Sequence, residues 1–212
     1  MQQLKFDVDP TIITAIENMA DRISIVSAER VRDEFIKILM SDNPRIGITM
    51  MVDTGLADLV IPEIPKLRLE VDEHHHHKDV YEHSLMVLEQ AMADEERLGG
   101  PNLIIRLTAL LHDIGKPKTR ELIPGGGVSF HHHEVVGARL TKERLRKMRF
   151  DKETIEAVSE LVFLHLRFHG YGSGEWTDSA VRRYIRDAGV YLVHLHVLTR
   201  ADCTTRNKRK AE

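Results

Sequence analysis

The stretch from Leu103 to Lys116, LIIRLTALLHDIGK, decides the fold. Up to Leu111 its apolar residues lie on nearly every side of a helical wheel, so they predict a helix at the centre of the molecule. The helix ends at His112 and Asp113. A carboxylate at a buried helix end is unfavourable unless it is paired or binds a metal. The sequence therefore predicts compensating groups on neighbouring helices.

Four other predicted helices each place one type of metal ligand on their apolar face. These residues are His83, His133, His165 and Asp202. Histidine and carboxylate groups on facing helices are how helical bundles build metal sites. A mixed set of nitrogen and oxygen ligands suits Mg, Mn, Ni, Fe or Zn. The alternative for any single histidine is a hydrogen-bonded core residue.

We expect these residues to bind one or two divalent ions as cofactors. The first ion takes the set His83, His112, Asp113 and Asp202. The second ion shares Asp113 and adds His133 and His165, with His132 and His169 as alternatives for the two histidines.

The composition indicates a helical protein with a true core. Hydrophobic residues make up 42% of the chain, and aromatic residues only 5%. A net charge of -3 gives no overall positive field that would point to nucleic acid. Cys203 is the single cysteine, and no long apolar run occurs. We therefore predict a cytoplasmic protein with no membrane partner.

The predicted helices divide the chain into two parts. Three short packed helices occupy residues 10 to 58, and the first of them carries the apolar residues Ile12, Ile13, Ile16 and Met19. A proline-containing connector follows, so we predict a helical segment over 1–70 and a larger helical domain over 71–212. Pro101 is predicted as the first residue of the central helix.

Five short motifs resemble the HD-domain superfamily of metal-dependent phosphohydrolases. They are YEHSL at 81–85, LLHDIGK at 110–116, HEVVGA at 133–138, Leu164-His165 and Arg200-Ala201-Asp202. The resemblance implies an all-α HD-domain helical bundle that hydrolyses a phosphomonoester, a 2′,3′-cyclic nucleotide or an RNA end. His112 and Asp113 are then catalytic, and Lys116 meets the phosphate; a plain surface lysine is the alternative for Lys116.

A narrower set of motifs resembles the bacterial CCA-adding tRNA nucleotidyltransferase and poly(A) polymerase family. They are HHKDVYEH at 76–83, Glu29-Arg30-Val31, Gly55-Leu56, Ile61-Pro62-Glu63 and the opening LKFDVDP at 4–10. The resemblance implies that residues 1–70 are a small helical RNA-binding segment and that tRNA or another RNA is a partner. No Gly-Ser pair followed by Asp-x-Asp occurs, so nucleotide addition is not expected from this chain alone. Two origins stay open, part of a longer protein and a stand-alone HD protein.

Two basic stretches are candidates for RNA contacts. Arg182, Arg183 and Arg186 share one helix face, which we predict to bind nucleic acid. The stretch 139–149 is denser in cations but contains Glu143, and a solvated helix is the default there. The sequence also allows two rival functions. One is an RNA-binding tail with a structural or relic metal site, and the other is a nucleotide-sensing module without turnover.

Overall fold

The computed structural model describes residues 8–68, 79–123, 127–167 and 177–203, and these residues form an all-α molecule. The predicted fold class is confirmed. The helices are α1 (Pro10–Met19), α2 (Ala28–Leu39), α3 (Pro44–Asp53), α4 (Leu56–Val60), α5 (Val80–Ala93), α6 (Leu103–Leu111), α7 (Lys116–Thr119), α8 (His133–Lys147), α9 (Lys152–Leu164), α10 (Asp178–Ala188) and α11 (Leu192–Asp202). Short 3₁₀ turns cover Ala20–Ile25, Pro65–Leu67, Glu95–Leu98, His165–Arg167 and Gly189–Tyr191.

Local sequence signals explain most of the helix starts. The side chain of Ser27 accepts a hydrogen bond from the backbone N–H of Arg30 and caps α2, as an N-cap serine does. α3 begins with Pro44, whose missing N–H needs no partner in a first helical turn. Gly55 has a φ of 74°, a left-handed conformation that glycine adopts without strain, and it turns the chain into α4.

The first predicted helix forms, but its apolar side is only partly buried. α1 buries none of its residues, and Ile12 is 52% exposed while Met19 is 47% exposed. The expectation of three packed helices is therefore wrong for the first. Helical spacing of apolar residues predicts that a helix forms, but it does not say whether a partner covers the apolar face.

The central helix is α6, as the sequence predicts, but it starts later than expected. Every residue from Ile105 to Leu111 is buried. The side chain of Asn102 accepts a hydrogen bond from the backbone N–H of Ile105, so Asn102 is the N-cap. Pro101 therefore precedes the cap and is not the first helical residue. A side-chain cap satisfies a free N–H, which a proline at that position cannot do.

A buried ion pair joins α6 to the N-terminal helices. The guanidinium of Arg106 donates two hydrogen bonds of 2.8 Å to the carboxylate of Glu95. Its third nitrogen donates to the backbone carbonyls of Leu39 and Ser41, both at 2.9 Å. All these groups are satisfied, which is the condition for burying charges. The sequence analysis did not identify this pair.

The N-terminal helices and the later helices share one hydrophobic core. Phe35 and Leu39 of α2 lie in the same buried cluster as Leu85 and Leu88 of α5 and Leu107 of α6. The guanidinium of Arg45 also bridges α3 to Glu82 and Glu89 of α5, at 2.7 to 2.9 Å. The predicted boundary between 70 and 71 lies outside the described residues and stays a prediction.

The remaining elements surround the central helix. α6 contacts α5, α9 and α11, and α8 packs along α9. A small antiparallel hairpin pairs β1 (Glu121–Leu122) with β2 (Val128–Ser129), with Glu121 opposite Ser129. The sequence analysis did not predict this hairpin. Among the described residues, none of the helices combines the length and apolar character that a membrane span requires.

Candidate metal centre

The C-terminal end of α6 places His112 and Asp113 in the middle of the bundle. Both residues are only 1% exposed. Nδ1 of His112 donates a 2.9 Å hydrogen bond to the backbone carbonyl of Ala109. A carbonyl can only accept, so in the neutral ring Nε2 carries the lone pair. This Nε2 is buried and has no hydrogen-bond partner within the described residues, so it is available as a metal ligand.

The carboxylate of Asp113 is the centre of the cluster. Its Oδ2 lies 3.2 Å from Nε2 of His112 and 3.7 Å from Nε2 of His83. Its Oδ1 lies 3.3 Å from Nε2 of His133 and 3.9 Å from Nε2 of His165. The two oxygens of one side chain therefore face two different groups of histidines.

Asp202 completes the first group from the last helix. Its Oδ1 lies 2.9 Å from Nε2 of His83 and 3.7 Å from Nε2 of His112. α5 supplies His83, the end of α6 supplies His112 and Asp113, and α11 supplies Asp202. The structure thus brings together all four residues that the sequence analysis assigned to the first ion.

The second group is formed by His133 and His165 on the other side of Asp113. Nδ1 of His133 donates to the carbonyl of Phe130 at 2.8 Å, and Nδ1 of His165 donates to the carbonyl of Val162 at 2.6 Å. Their Nε2 atoms lie 3.3 Å apart. Two neutral rings in these tautomers point two lone pairs at each other, which is unfavourable unless a cation or proton lies between them. The donor set therefore fits a divalent metal.

The same type of hydrogen bond to a backbone carbonyl orients three of the four histidines. Each of His112, His133 and His165 donates from Nδ1 to the carbonyl three residues earlier in the chain. For His112 and His165 that carbonyl belongs to the last turn of a helix, where carbonyl groups have no helical partner. The hydrogen bond fixes the tautomer and aims Nε2 into the cluster.

A close backbone contact between Gly115 and α8 brings His133 near Asp113. Gly115 lies against the start of α8, and a Cβ at this position would clash with the carbonyl oxygen of His133 and lie 2.7 Å from the backbone nitrogen of Gly137. Only glycine permits this approach. Gly115 therefore holds His133 within reach of Asp113.

The charges in the cluster are strongly coupled. Burial by itself would lower the pKa of His112, but the carboxylates of Asp113 and Asp202 raise it to about 9. Burial lowers the pKa of His165 to about 3. Burial opposes ionisation of Asp113, but charged His112, the hydrogen bonds and Lys116 hold its pKa well below the usual range. At neutral pH the cluster is thus anionic carboxylates balanced by a proton on His112 and by Lys116.

Lys116 stands at the edge of the cluster. Its Nζ donates a 2.6 Å hydrogen bond to Oδ2 of Asp113, and its side chain remains 21% exposed. The ammonium also lies 5.7 Å from the centre of the Phe130 ring. Lys116 therefore connects the buried carboxylate to solvent. Sequence reasoning did not identify Phe130, because an aromatic residue after a short strand has no spacing signal.

The other predicted site residues lie away from this cluster. Arg182, Arg183 and Arg186 are exposed on α10, which supplies none of the clustered side chains. His132, the alternative to His133, is exposed in a left-handed conformation. His169, the alternative to His165, lies outside the described residues.

Comparison with known families places this cluster in context. The family model described as "HD domain" matches residues 80–207, which contain all six clustered residues. The chain belongs to the HD domain family. A second family model, described as "Probable RNA and SrmB- binding site of polymerase A", matches residues 5–67. Both resemblances noted in the sequence are confirmed.

The relatives of this HD domain chain include two named as tRNA nucleotidyltransferases and one named as a CCA protein. It is 33% identical to "A-adding tRNA nucleotidyltransferase" of Deinococcus radiodurans over 77% of this chain and 38% of the relative. It is 33% identical to "CC-adding tRNA nucleotidyltransferase" of Thermus thermophilus over 68% of this chain and 32% of the relative. It is 31% identical to "Multifunctional CCA protein" of Neisseria meningitidis serogroup B over 79% of this chain and 39% of the relative. The chain thus spans less than two fifths of the length of these relatives.

Proposed function

We propose that this HD domain is a metal-dependent phosphohydrolase that acts on phosphoesters of nucleotides or RNA ends. The observation that carries the proposal is the convergence of four imidazoles and two carboxylates on the buried centre around Asp113. In this proposal one ion is held by His83, His112, Asp113 and Asp202. A second ion shares Asp113 and is held by His133 and His165.

The residues of the chain would divide the work of hydrolysis between them. When bound, a divalent ion supplies Lewis acidity and lowers the pKa of a coordinated water. Backbone carbonyls hold His112, His133 and His165 in fixed tautomers, so these three rings would need no reorientation when the substrate arrives. Lys116 is placed to bind a phosphoryl oxygen and to neutralise its charge, because its Nζ is beside Asp113 while its side chain reaches solvent.

We also propose that the chain acts in the context of RNA. Residues 5–67 match a family described as an RNA-binding site, and the relatives are named for tRNA nucleotidyl transfer. In this proposal the chain is the HD-domain region of a tRNA nucleotidyltransferase-like protein, and tRNA is the partner. The shared core with α5 and α6 would then hold the RNA-binding segment rigidly beside the metal centre.

The experiment that tests the hydrolase proposal compares two aspartate variants. The protein is stripped with a chelator, and Mg, Mn, Ni, Fe or Zn is added back with 2′,3′-cyclic AMP or a simple phosphomonoester. We expect ion-dependent hydrolysis by the wild type and none by Asp113→Asn. Asp58→Asn, which changes an exposed aspartate on α4, is the control and keeps full activity. Activity that survives Asp113→Asn would overturn the proposal.

The second candidate function is an RNA-binding module with a structural or relic metal site. The ion pair between Lys116 and Asp113 favours it, because that contact already compensates part of the buried charge without an ion. RNA affinity that survives chelation, together with bound metal but no hydrolysis of either substrate, would support this candidate against the hydrolase.

A further inference from the structure

The second half of α8 presents a row of cations to solvent. Residues 139 to 149 contain six cations and one acid, Glu143. Arg139, Lys142 and Arg146 follow each other at spacings of three and four residues, so they lie along one side of the helix. Leu140 and Leu145 point to the opposite side and are buried. Arg149 extends the row just beyond the helix end. We call Arg139, Lys142, Arg146 and Arg149 the α8 row.

Three cations of this row have no carboxylate partner in the part of the chain that the structure describes. Within the described residues, no carboxylate forms an ion pair with Arg139, Lys142 or Arg146. In contrast, Arg144 on the neighbouring side of α8 pairs with both oxygens of Glu63. Because the chain carries more acids than bases, three neighbouring cations without an ion pair to any described residue concentrate positive potential on this side of α8.

Arg149 has a backbone conformation that favours glycine. Its φ is 61°, in the left-handed region, at the position after α8 where helices usually end on glycine. The N–H of Phe150 bonds to the carbonyl of Leu145, which completes this helix-ending motif. Its side chain is 69% exposed and 4.0 Å from Glu29, too far for a strong pair. An arginine at a strained glycine position points to a use for its side chain.

The α8 row adjoins the segment that matches the RNA-binding family. Arg32 of α2 donates a hydrogen bond to the backbone carbonyl of Arg149. Glu63, the partner of Arg144, also lies in the matched segment. The end of α8 is therefore held against residues 5–67, and a ligand on that segment can continue onto the HD domain.

We propose that the α8 row binds the phosphodiester backbone of RNA and extends the RNA-binding surface from the N-terminal segment onto the HD domain. Evenly spaced cations suit the RNA backbone, which carries one negative charge per nucleotide. An anionic membrane is disfavoured, because a helix that lies on a membrane needs a free apolar face, and that face of α8 is buried in the core. The choice of RNA rests on the RNA partner proposed above.

The structure also favours α8 over α10 for this role. In α10, Arg182 lies 3.4 Å from Asp178, and Arg186 lies 3.5 Å from Asp187. These exposed pairs are weak, but they reduce the net charge of the helix. The predicted contacts of α10 with nucleic acid stay a prediction, and its three arginines make a matched comparison with the α8 row.

The first test measures binding of a labelled single-stranded RNA and of tRNA to two triple variants of equal charge. Arg139→Gln/Lys142→Gln/Arg146→Gln removes three cations from α8, and Arg182→Gln/Arg183→Gln/Arg186→Gln removes three from α10. We expect the α8 variant to bind RNA about tenfold more weakly or worse and to lose about 2 units of the slope of log affinity against log salt, at roughly 0.7 per phosphate contact. Unchanged affinity in the α8 variant, or equal losses in both variants, would overturn the proposal.

The second test uses the strained position. Arg149→Gly relieves the left-handed conformation and leaves the backbone carbonyl that Arg32 binds. We expect this variant to unfold at a higher temperature than the wild type and still to bind RNA more weakly. A purely structural role for Arg149 predicts the higher unfolding temperature with no loss of affinity.

A third measurement separates this proposal from the hydrolase proposal. Hydrolysis of 2′,3′-cyclic AMP should be equal in the α8 variant and the wild type, because a free nucleotide does not reach the row. If the wild type hydrolyses nothing but the α8 variant still loses RNA affinity, the phosphohydrolase function fails and the RNA surface stands. If vesicles containing phosphatidylserine bind through the row and RNA does not, the RNA proposal is wrong.

Discussion

The ammonium of Lys116 lies 2.6 Å from Oδ2 of Asp113, the oxygen that also faces His83 and His112. The ammonium of Lys116 therefore contacts the same carboxylate oxygen that the proposed first ion would bind. Binding of an ion at this oxygen competes with Lys116 for the same negative charge. An ammonium displaced from Asp113 would be free to meet a phosphate, because the Lys116 side chain is 21% exposed. This relationship links metal binding and substrate binding through one side chain.

Replacing Lys116 should move metal affinity and turnover in opposite directions. Lys116→Met removes the competing charge, so we expect divalent ions to bind about tenfold more tightly or better. Hydrolysis should fall by about 10²-fold to 10³-fold, because a charge-stabilising donor to the phosphoryl group is lost. Titration calorimetry and steady-state kinetics measure the two effects. Lys118→Met, an exposed neighbour, should change neither. A parallel loss of both properties in Lys116→Met would assign Lys116 to metal binding or folding.

Metal binding should depend on pH through His112. Its pKa is raised to about 9, so in the ion-free protein His112 is protonated at neutral pH and must lose a proton to become a ligand. We therefore expect apparent affinity to rise with pH below about 9, by about tenfold per unit for one released proton. Calorimetry in buffers with different heats of ionisation counts that proton. Affinity that is constant between pH 6 and 8 would show that no proton is released on binding, and it would contradict the raised pKa of His112.

Two glycine variants test how the second group is positioned. In Gly115→Ala the new methyl group meets backbone atoms of His133 and Gly137, which cannot move without shifting α8. In Gly137→Ala the nearest atom is a side-chain methyl of Val162 at 3.3 Å, which can adjust. We expect Gly115→Ala to lose about 1–3 kcal/mol or more of unfolding free energy and to weaken binding of the second ion. Gly137→Ala should lose less and keep the ion. Metal stoichiometry and denaturant unfolding distinguish them, and equal effects would contradict the backbone contact.

The sequence predicted the clustered residues well, and the reason is geometric. His83, Asp113 and Asp202 sit on or beside apolar helix faces, and a polar ligand type on such a face can be read from helical periodicity. The grouping of His133 with His165 also followed from the same pattern. The backbone carbonyls that orient these rings could have been inferred only from helix ends, since the carbonyl groups there lack partners.

Other features could not be predicted because they depend on partners distant in sequence. Arg106 falls within an apolar helix, and only the fold shows that Glu95 and two carbonyls of the N-terminal region surround it. Pro101 carries a genuine helix-start signal, but the Asn102 cap prevails. The apolar residues of α1 have the helical spacing that a buried face would have, although none of them is fully buried. The local sequence pattern predicts where helices form, but contacts between residues distant in sequence determine which face of each helix is buried.

Removing one partner of the buried Arg106–Glu95 pair should cost more stability than removing both charges together. Arg106→Met leaves the Glu95 carboxylate buried with no cation, so we expect a loss of about 3–5 kcal/mol in unfolding free energy. Glu95→Gln/Arg106→Met removes both charges and keeps an oxygen for the backbone N–H of Asn102. This double variant should recover part of the loss in denaturant unfolding. If it is no more stable than Arg106→Met alone, the hydrogen bonds to Leu39 and Ser41, and not the charge pair, govern stability.

The most direct test of the central claim titrates the ion-free protein with Mn²⁺ and records the hydrolysis rate of 2′,3′-cyclic AMP at each equivalent. The account predicts a rate that rises with bound ion and reaches a plateau at one or two ions per chain. If the plateau lies at two ions, the His133→Ala/His165→Ala variant should bind only one. Stoichiometric binding of Mn²⁺ with a rate that never rises above that of the ion-free protein would contradict the claim that this centre is a phosphohydrolase site.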